Sequence, residues 1–130
     1  HKNFPVGHPG YMGRLVYAQD VYAVTAACLM VRKSVYDEVN GLDESFAVAF
    51  NDVDFCVRVR EAGYTNVFTP FAQLYHYESK SRGLDTLSEN AKRYEREKAN
   101  FYAKYQQYID NYDPYYNPHF NNLFENFGLK

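Results

Sequence analysis

The chain has 130 residues, with 14 lysines and arginines against 16 aspartates and glutamates and a formal net charge of -2. That length suits one domain with an ordinary core, and the balance disfavours a nucleic-acid surface, because phosphate binding calls for a basic excess. No apolar run approaches the roughly 20 residues that span a bilayer, and no charged, then apolar, then small-residue leader opens the sequence, so neither membrane insertion nor export is expected.

From His1 the chain passes through FPVGHPGYMGR, a Gly/Pro-rich stretch that reads as a loop already under way, as in a piece of something longer. Val21 to Arg32 (VYAVTAACLMVR) is rich in Val, Thr, Tyr and Ala and predicts a buried strand with a break near Ala26. Ser34 to Val39 predicts a short helix, stopped at Asn40 and Gly41 because glycine tolerates the left-handed conformation that ends helices. Leu42 to Phe50 then reads as a connecting loop anchored by Phe46, Val48 and Phe50. Cys28 and Cys56 each sit in an apolar segment, where a reduced thiol behaves as a small hydrophobe, and both are expected to be free core residues.

A second helix is predicted from Asp52 to Ala62, capped by Asn51 and stopped by Gly63, with Val53, Phe55, Cys56, Val57 and Val59 giving it a broad buried face. Asn66 to Thr69 and Phe71 to Tyr75 read as two extended segments, with Pro70 between them marking a sheet edge or bend. Thr86 to Ile109 is the long helix, opened by a capping box of Thr86 and Glu89. One face of it carries Ala91, Tyr94, Lys98, Phe101, Tyr105 and Tyr108, a stripe expected to dock on the domain. The other carries Arg93, Glu95, Arg96, Glu97 and Lys104. The aromatic tail from Asp110 is expected to lie extended across the surface, held by Tyr115, Tyr116, Phe120, Phe124 and Phe127. The fold class is therefore α/β: a short mixed sheet with helices, a long C-terminal helix and an extended aromatic tail.

Chemistry concentrates in FNDVDFC (50–56) and YHYESKSRG (75–83). Acidic residues in a first helical turn are favoured by the macrodipole by roughly 0.3–1 kcal/mol, which by itself accounts for Asp52 and Asp54. A carboxylate projecting from a helix start can also take a proton from an incoming hydroxyl, a role resting on position more than basicity. His76, at the end of an extended run, reads either as a hydrogen-bonding structural residue or, beside Glu78, as part of a divalent-metal environment. Lys80 and Arg82, with Ser79, Ser81 and Gly83, form either a solvated loop or a diphosphate cradle, since guanidinium binds phosphate oxygens through paired donors.

The segments ACLMVRKSVYDEVNGLDE, FNDVDFCVRVREAGY and TPFAQLYHYESKSRG, in that order, resemble the second half of the catalytic domain of bacterial family-2 glycosyltransferases. The likeness is strongest to those building O-antigen and rhamnose-containing cell-wall polysaccharides, and it extends to DPYYNP (113–118). It implies the acceptor-side half of a GT-A fold, transferring a sugar with inversion from a nucleotide-sugar to a saccharide hydroxyl, with magnesium or manganese. By the resemblance, Asp52 matches the general-base aspartate, and Asn51, standing where many members have glutamate, falls with Asp54 on the acceptor side. His76 matches a position near the metal, and Ser79 and Arg82, with Lys80 between them, match a loop that closes over the diphosphate. A cytoplasmic location, peripheral at the inner face of the cell membrane, is implied too.

No strand series and no Asp-x-Asp motif precede Val21, so the nucleotide-binding half is expected to be missing and the piece alone inactive. Apolar surface left uncovered would then favour a homodimer. A non-catalytic carbohydrate- or protein-binding module is the alternative, since 14 tyrosines suit sugar stacking or an interface. A metal-dependent hydrolase using Asp52, Asp54 and His76 is a third reading.

Overall fold

The computed structural model describes residues 5–76, 88–111, 113–121 and 127–130. In chain order it contains β1 (Gln19–Val21), α1 (Lys33–Glu38), α2 (Asn51–Glu61), β2 (Asn66–Phe68) and α3 (Ser88–Ile109), with 3-10 turns at Tyr11–Gly13 and Ala26–Cys28. The class is mixed α/β, as the sequence predicts. The sheet among the described residues is an antiparallel pair where a mixed one is expected, with Gln19 opposite Phe68 and Val21 opposite Asn66.

α2 lies at the centre because it is apolar on two sides. Phe55 and Val59, four residues apart, pack with Val35 and Val39 of the α1 region, and Val57 packs with Phe46, Phe101 and Tyr105. Burying side chains of this size contributes about 1.5–3 kcal/mol each, so α2 holds α1 and α3 to a common core. Asn66 ties the sheet to it: its buried amide donates to the carbonyls of Tyr22 (2.8 Å) and Cys56 (3.1 Å).

Both predicted helix stops are present. Asn40 takes φ 60 and Gly41 φ 66, and their amides bond back to the carbonyls of Asp37 and Tyr36, satisfying the last turn of α1. A β-carbon at Gly41 would fall 2.8 Å from the Tyr36 ring, so a larger residue there would force the ring aside. Gly63 closes α2 likewise, at φ 87, with its amide on Arg60 and that of Tyr64 on Val59.

The start of α2 departs from expectation. Asn51 is its first helical residue, and the cap is Phe50, left-handed at φ 64, with no side-chain cap bond. The Phe50 ring stacks on Phe101 at 4.9 Å and tilts against Tyr94 at 5.7 Å. Aromatic packing there offsets the roughly 1–2 kcal/mol that a left-handed conformation costs.

Of the apolar run 21–32, Val21 alone is strand. The break near Ala26 is a turn in which the Thr25 hydroxyl accepts from the Ala27 amide, and Met30 is 98% exposed. β2 is the single partner strand among the described residues and pairs over three positions, so the remainder of the run has no strand beside it, although Tyr22, Leu29 and Val31 pack partly buried against the helices. Cys28 is consequently exposed, contrary to its expected core place, whereas Cys56 is fully buried; both thiols are free. Residues 71–76 form no strand, and Phe71, Leu74 and Tyr75 are exposed.

In α3, Phe101 and Tyr105 are buried as the stripe predicts, but of the residues assigned to the polar side Glu97 is buried, and Lys104, itself exposed, reaches its amine in to Asp54. Thr86 of the expected capping box lies outside the described residues, and α3 is described from Ser88 onward. The tail packs on the N-terminal loop: Tyr11 meets Phe120 edge-on at 5.1 Å and stacks on Phe127 at 4.9 Å, and Phe120 pairs with Leu129. Tyr115 and Tyr116 join this packing, through Arg60 and Phe120 respectively, and Phe124 lies outside the described residues.

Burial pushes the Cys56 thiol above its ordinary pKa, although the Val24 amide bonded to its sulfur works the other way. A maleimide reagent at neutral pH should therefore label Cys28 rapidly and Cys56 only after denaturation, as mass spectrometry of digested protein would read; equal labelling of both would contradict the packing of α2.

Candidate functional site

Asp52 and Asp54 occupy the first turn of α2 two residues apart, and their surroundings are opposite. Asp54 has no exposed surface. Its Oδ2 accepts from Nε and Nη2 of Arg58, at 2.9 and 2.7 Å. Its Oδ1 accepts from Lys104 Nζ at 2.7 Å and from the Tyr105 hydroxyl at 2.6 Å. Four donors fill the roughly four acceptor positions of a carboxylate. Arg58 continues to the Val39 carbonyl at the end of α1, and Lys104 to Asp43 Oδ2 at 2.8 Å in the connecting loop. One aspartate thus joins α1, α2, α3 and the loop before α2. Contact with an acceptor sugar, the role expected of Asp54, would require dismantling this network first.

Asp52 is half-buried. Its Oδ2 accepts from the Ala26 amide at 3.1 Å and its Oδ1 from the Val53 amide at 2.9 Å, so two backbone donors from different segments orient it. Among the described residues it makes no ion pair, although Arg58 and Lys104 converge on Asp54 nearby. A carboxylate oriented by backbone amides, partly open and not neutralised by a neighbouring cation, can accept a proton from a hydroxyl brought to it.

Asn51 is likewise half-buried, and its Oδ1 accepts from the Asp52 amide at 2.7 Å, so it braces the helix start. His76 is exposed at the rim of an open cleft of ≈960 Å³ lined by Met30, Asn66, Val67 and Leu74 among others. No group of three His, Cys, Asp or Glu capable of holding a metal exists among the described residues. His76 alone is too small a donor set for magnesium or manganese, which take several oxygens. Ser79, Lys80 and Arg82 lie outside the described residues.

Sequence reasoning left out three residues that shape this site: Glu97, Lys104 and Tyr105. Glu97 is 1% exposed and its Oε2 accepts from the Ala49 amide at 2.6 Å, immediately before the left-handed Phe50. Spacing could have found them, because 97, 101, 104 and 105 fall on one helical face with the aromatic stripe. Reading charged residues as outward-facing concealed it.

Among curated proteins, the chain is 50% identical over 98 residues to an uncharacterized protein, y4gI, of Sinorhizobium fredii, a match covering 75% of this chain and 11% of that protein. It is 33% identical over 85 residues to the O-antigen biosynthesis protein RfbC of Myxococcus xanthus, covering 65% of this chain and 6% of that protein. It is 35% identical over 65 residues to the N-acetylglucosaminyl-diphospho-decaprenol L-rhamnosyltransferase of Mycobacterium tuberculosis, covering 50% and 21%. The chain thus spans about a fifth of the third of these proteins and less of the other two, and the relation that the two functionally named ones support is a glycosyltransferase-like one. No family model matches it, and no solved structure does. No helix among the described residues is long and apolar enough to cross a membrane.

The Asp54 network sets a stability profile. The Lys104 hydrogen bond, with those from Ser45, holds Asp43 well below its ordinary 3.8, so its contribution is complete above that pH and is lost as the pH falls through the depressed value. Burial works against charge on Lys104, but Asp43 and Asp54 hold its pKa above the ordinary 10.5. Burial and the bond to Asp54 raise Tyr105 above 10.0. The contributions of Lys104 and Tyr105 are complete below those ordinary values and are lost as the pH rises through the raised ones. Urea midpoints should therefore be level in these groups from 3.8 to 10.0 and fall on either side. At pH 7, Asp54→Ala should cost about 3–5 kcal/mol by leaving Arg58 and Lys104 facing an emptied pocket; a loss below about 1 kcal/mol would deny Asp54 its joining role.

Proposed function

We propose that this chain is the acceptor-side part of an inverting GT-A sugar transferase of bacterial cell-surface polysaccharide synthesis, and that Asp52 is its general base. The supporting observation is the division of labour between two neighbouring carboxylates: Asp54 is fully occupied inside the protein, while Asp52 is oriented by backbone amides and partly open. The relatives named for O-antigen biosynthesis and rhamnosyl transfer supply the reaction class.

In this reading a saccharide hydroxyl docks against the start of α2. Its oxygen attacks the anomeric carbon of the donor from the face opposite the nucleotide diphosphate, the bond to the diphosphate breaks, and the configuration inverts. As the new bond forms, an Asp52 oxygen receives the hydroxyl proton, a transfer that contributes about 10²- to 10⁴-fold. Asn51, Ser79, Lys80 and Arg82 are proposed to flank the acceptor and the departing diphosphate. A divalent cation would neutralise charge on that diphosphate, and its principal ligands would come from outside the residues described.

A second reading draws on one observation. A recess of ≈410 Å³ is lined by Tyr22, Tyr108, Asn111, Asp113, Tyr116 and Lys130, a mixture of aromatic faces and polar groups that suits a sugar ring. A carbohydrate-binding module would use that recess and leave Asp52 idle.

In the intact protein, Asp52→Asn should lower sugar transfer by about 10²- to 10⁴-fold with at most a small fall in thermal midpoint, because asparagine keeps an oxygen for the Ala26 amide and gives up only the bond from the neighbouring Val53 amide. Turnover measured by release of nucleotide diphosphate decides it: full activity in the mutant would remove Asp52 from the mechanism and favour the binding module.

A further inference from the structure

The turn that launches Asp52 is held from the other side of the core. Phe50 adopts a left-handed conformation that an L-residue with a bulky side chain keeps only when its surroundings impose it. Two groups on one face of α3 do so: the Phe101 ring, stacked on Phe50, and the Glu97 carboxylate, whose Oε2 accepts from the Ala49 amide at 2.6 Å. Glu97 is 1% exposed, and its other oxygen has no hydrogen-bond partner in the described structure, the nearest cation being Arg93 with Nε at 3.8 Å. Burying a carboxylate with one oxygen unsatisfied is costly, and a neutral side chain would fill the same space without that cost. What the Glu97 side chain supplies in return is an oxygen that makes a short, directional bond with one amide, at the residue before the left-handed turn.

We propose that Glu97 is a positioning residue for Asp52: its buried carboxylate fixes the Ala49–Phe50 turn and thereby the place from which the Asp52 side chain projects. This rests on the reading of Asp52 as the base. The path is short. Ala49 is clamped by Glu97, Phe50 turns left-handed, its carbonyl accepts the first helical bond from the Asp54 amide at 2.8 Å, and Asp52 lies within that turn. Without the clamp the turn can relax toward ordinary backbone and carry the carboxylate away, and misplacement by about 1 Å can cost about 10²-fold in rate.

The test uses the intact protein with Glu97→Ala and Glu97→Gln, the glutamine retaining an oxygen for the Ala49 amide. Expected is a fall in kcat of about 10- to 100-fold for Glu97→Ala with the KM for nucleotide-sugar unchanged, and recovery of most of that loss in Glu97→Gln. Hydrogen–deuterium exchange across residues 46–53 should quicken in Glu97→Ala and not in Glu97→Gln. Added to Asp52→Asn, Glu97→Ala should lower the residual rate no further, because the two changes act through one group. Equal losses in both Glu97 variants, or a fully additive double mutant, would overturn the proposal. Full turnover by Asp52→Asn alone would instead sink the reading of Asp52. Unchanged exchange in Glu97→Ala would sink the clamp whatever Asp52 does, and if Glu97→Ala fails to fold, unaltered exchange and kcat in a folded Glu97→Leu would do the same.

Discussion

The buried carboxylate of Asp54 is the constraint on which the arrangement of helices depends. Apolar burial by itself discriminates weakly between rotations of α3 against α2, because the hydrophobic effect is non-directional. Asp54 removes that freedom. A charge with no exposed surface must have its oxygens filled, and here they are filled by Arg58 from its own helix and by Lys104 and Tyr105 from α3. Such a network adds little net stability over a well-packed apolar core, because desolvation consumes most of the Coulomb gain. Its effect is to make every other register expensive, each leaving a charge unpaired.

That fixed register governs the start of α2. Once Lys104 and Tyr105 are seated on Asp54, the preceding turns of α3 must present Phe101 and Glu97 to residues 49 and 50. The left-handed turn follows from where α3 lies, and Asp52 follows from the turn. Two carboxylates two residues apart can therefore have unlike duties with no difference in side-chain chemistry: the one facing α3 is neutralised by cations, and the one facing the Ala26 turn is held by amides.

Local signals in the sequence located the helices well. Asn40, Gly41 and Gly63 end α1 and α2 where a left-handed residue is required, and that requirement is written in one or two residues. The strand expected over 21–32 failed for the opposite reason. Whether an apolar run becomes a buried strand depends on partners elsewhere in the chain, and β2 offers three residues of pairing. The same dependence exposed Cys28 and left Phe71, Leu74 and Tyr75 in solvent. Asp52 and Asp54 stood out by position, and the local difference between them is Arg58, four residues after Asp54; the lysine and the tyrosine that complete the separation come some fifty residues later.

Phe50 shows how the two scales meet. Asparagine or glycine would enter the left-handed region at lower cost, yet the position holds a phenylalanine, whose ring is packed against Tyr94 and Phe101. The strain of the turn and the burial of the ring are therefore coupled: release of the backbone would withdraw the ring from its aromatic neighbours, and loss of those neighbours would remove the reason for the backbone. A turn held by coupled terms is stiff, and stiffness is what a carboxylate needs when its contribution depends on placement more than on basicity.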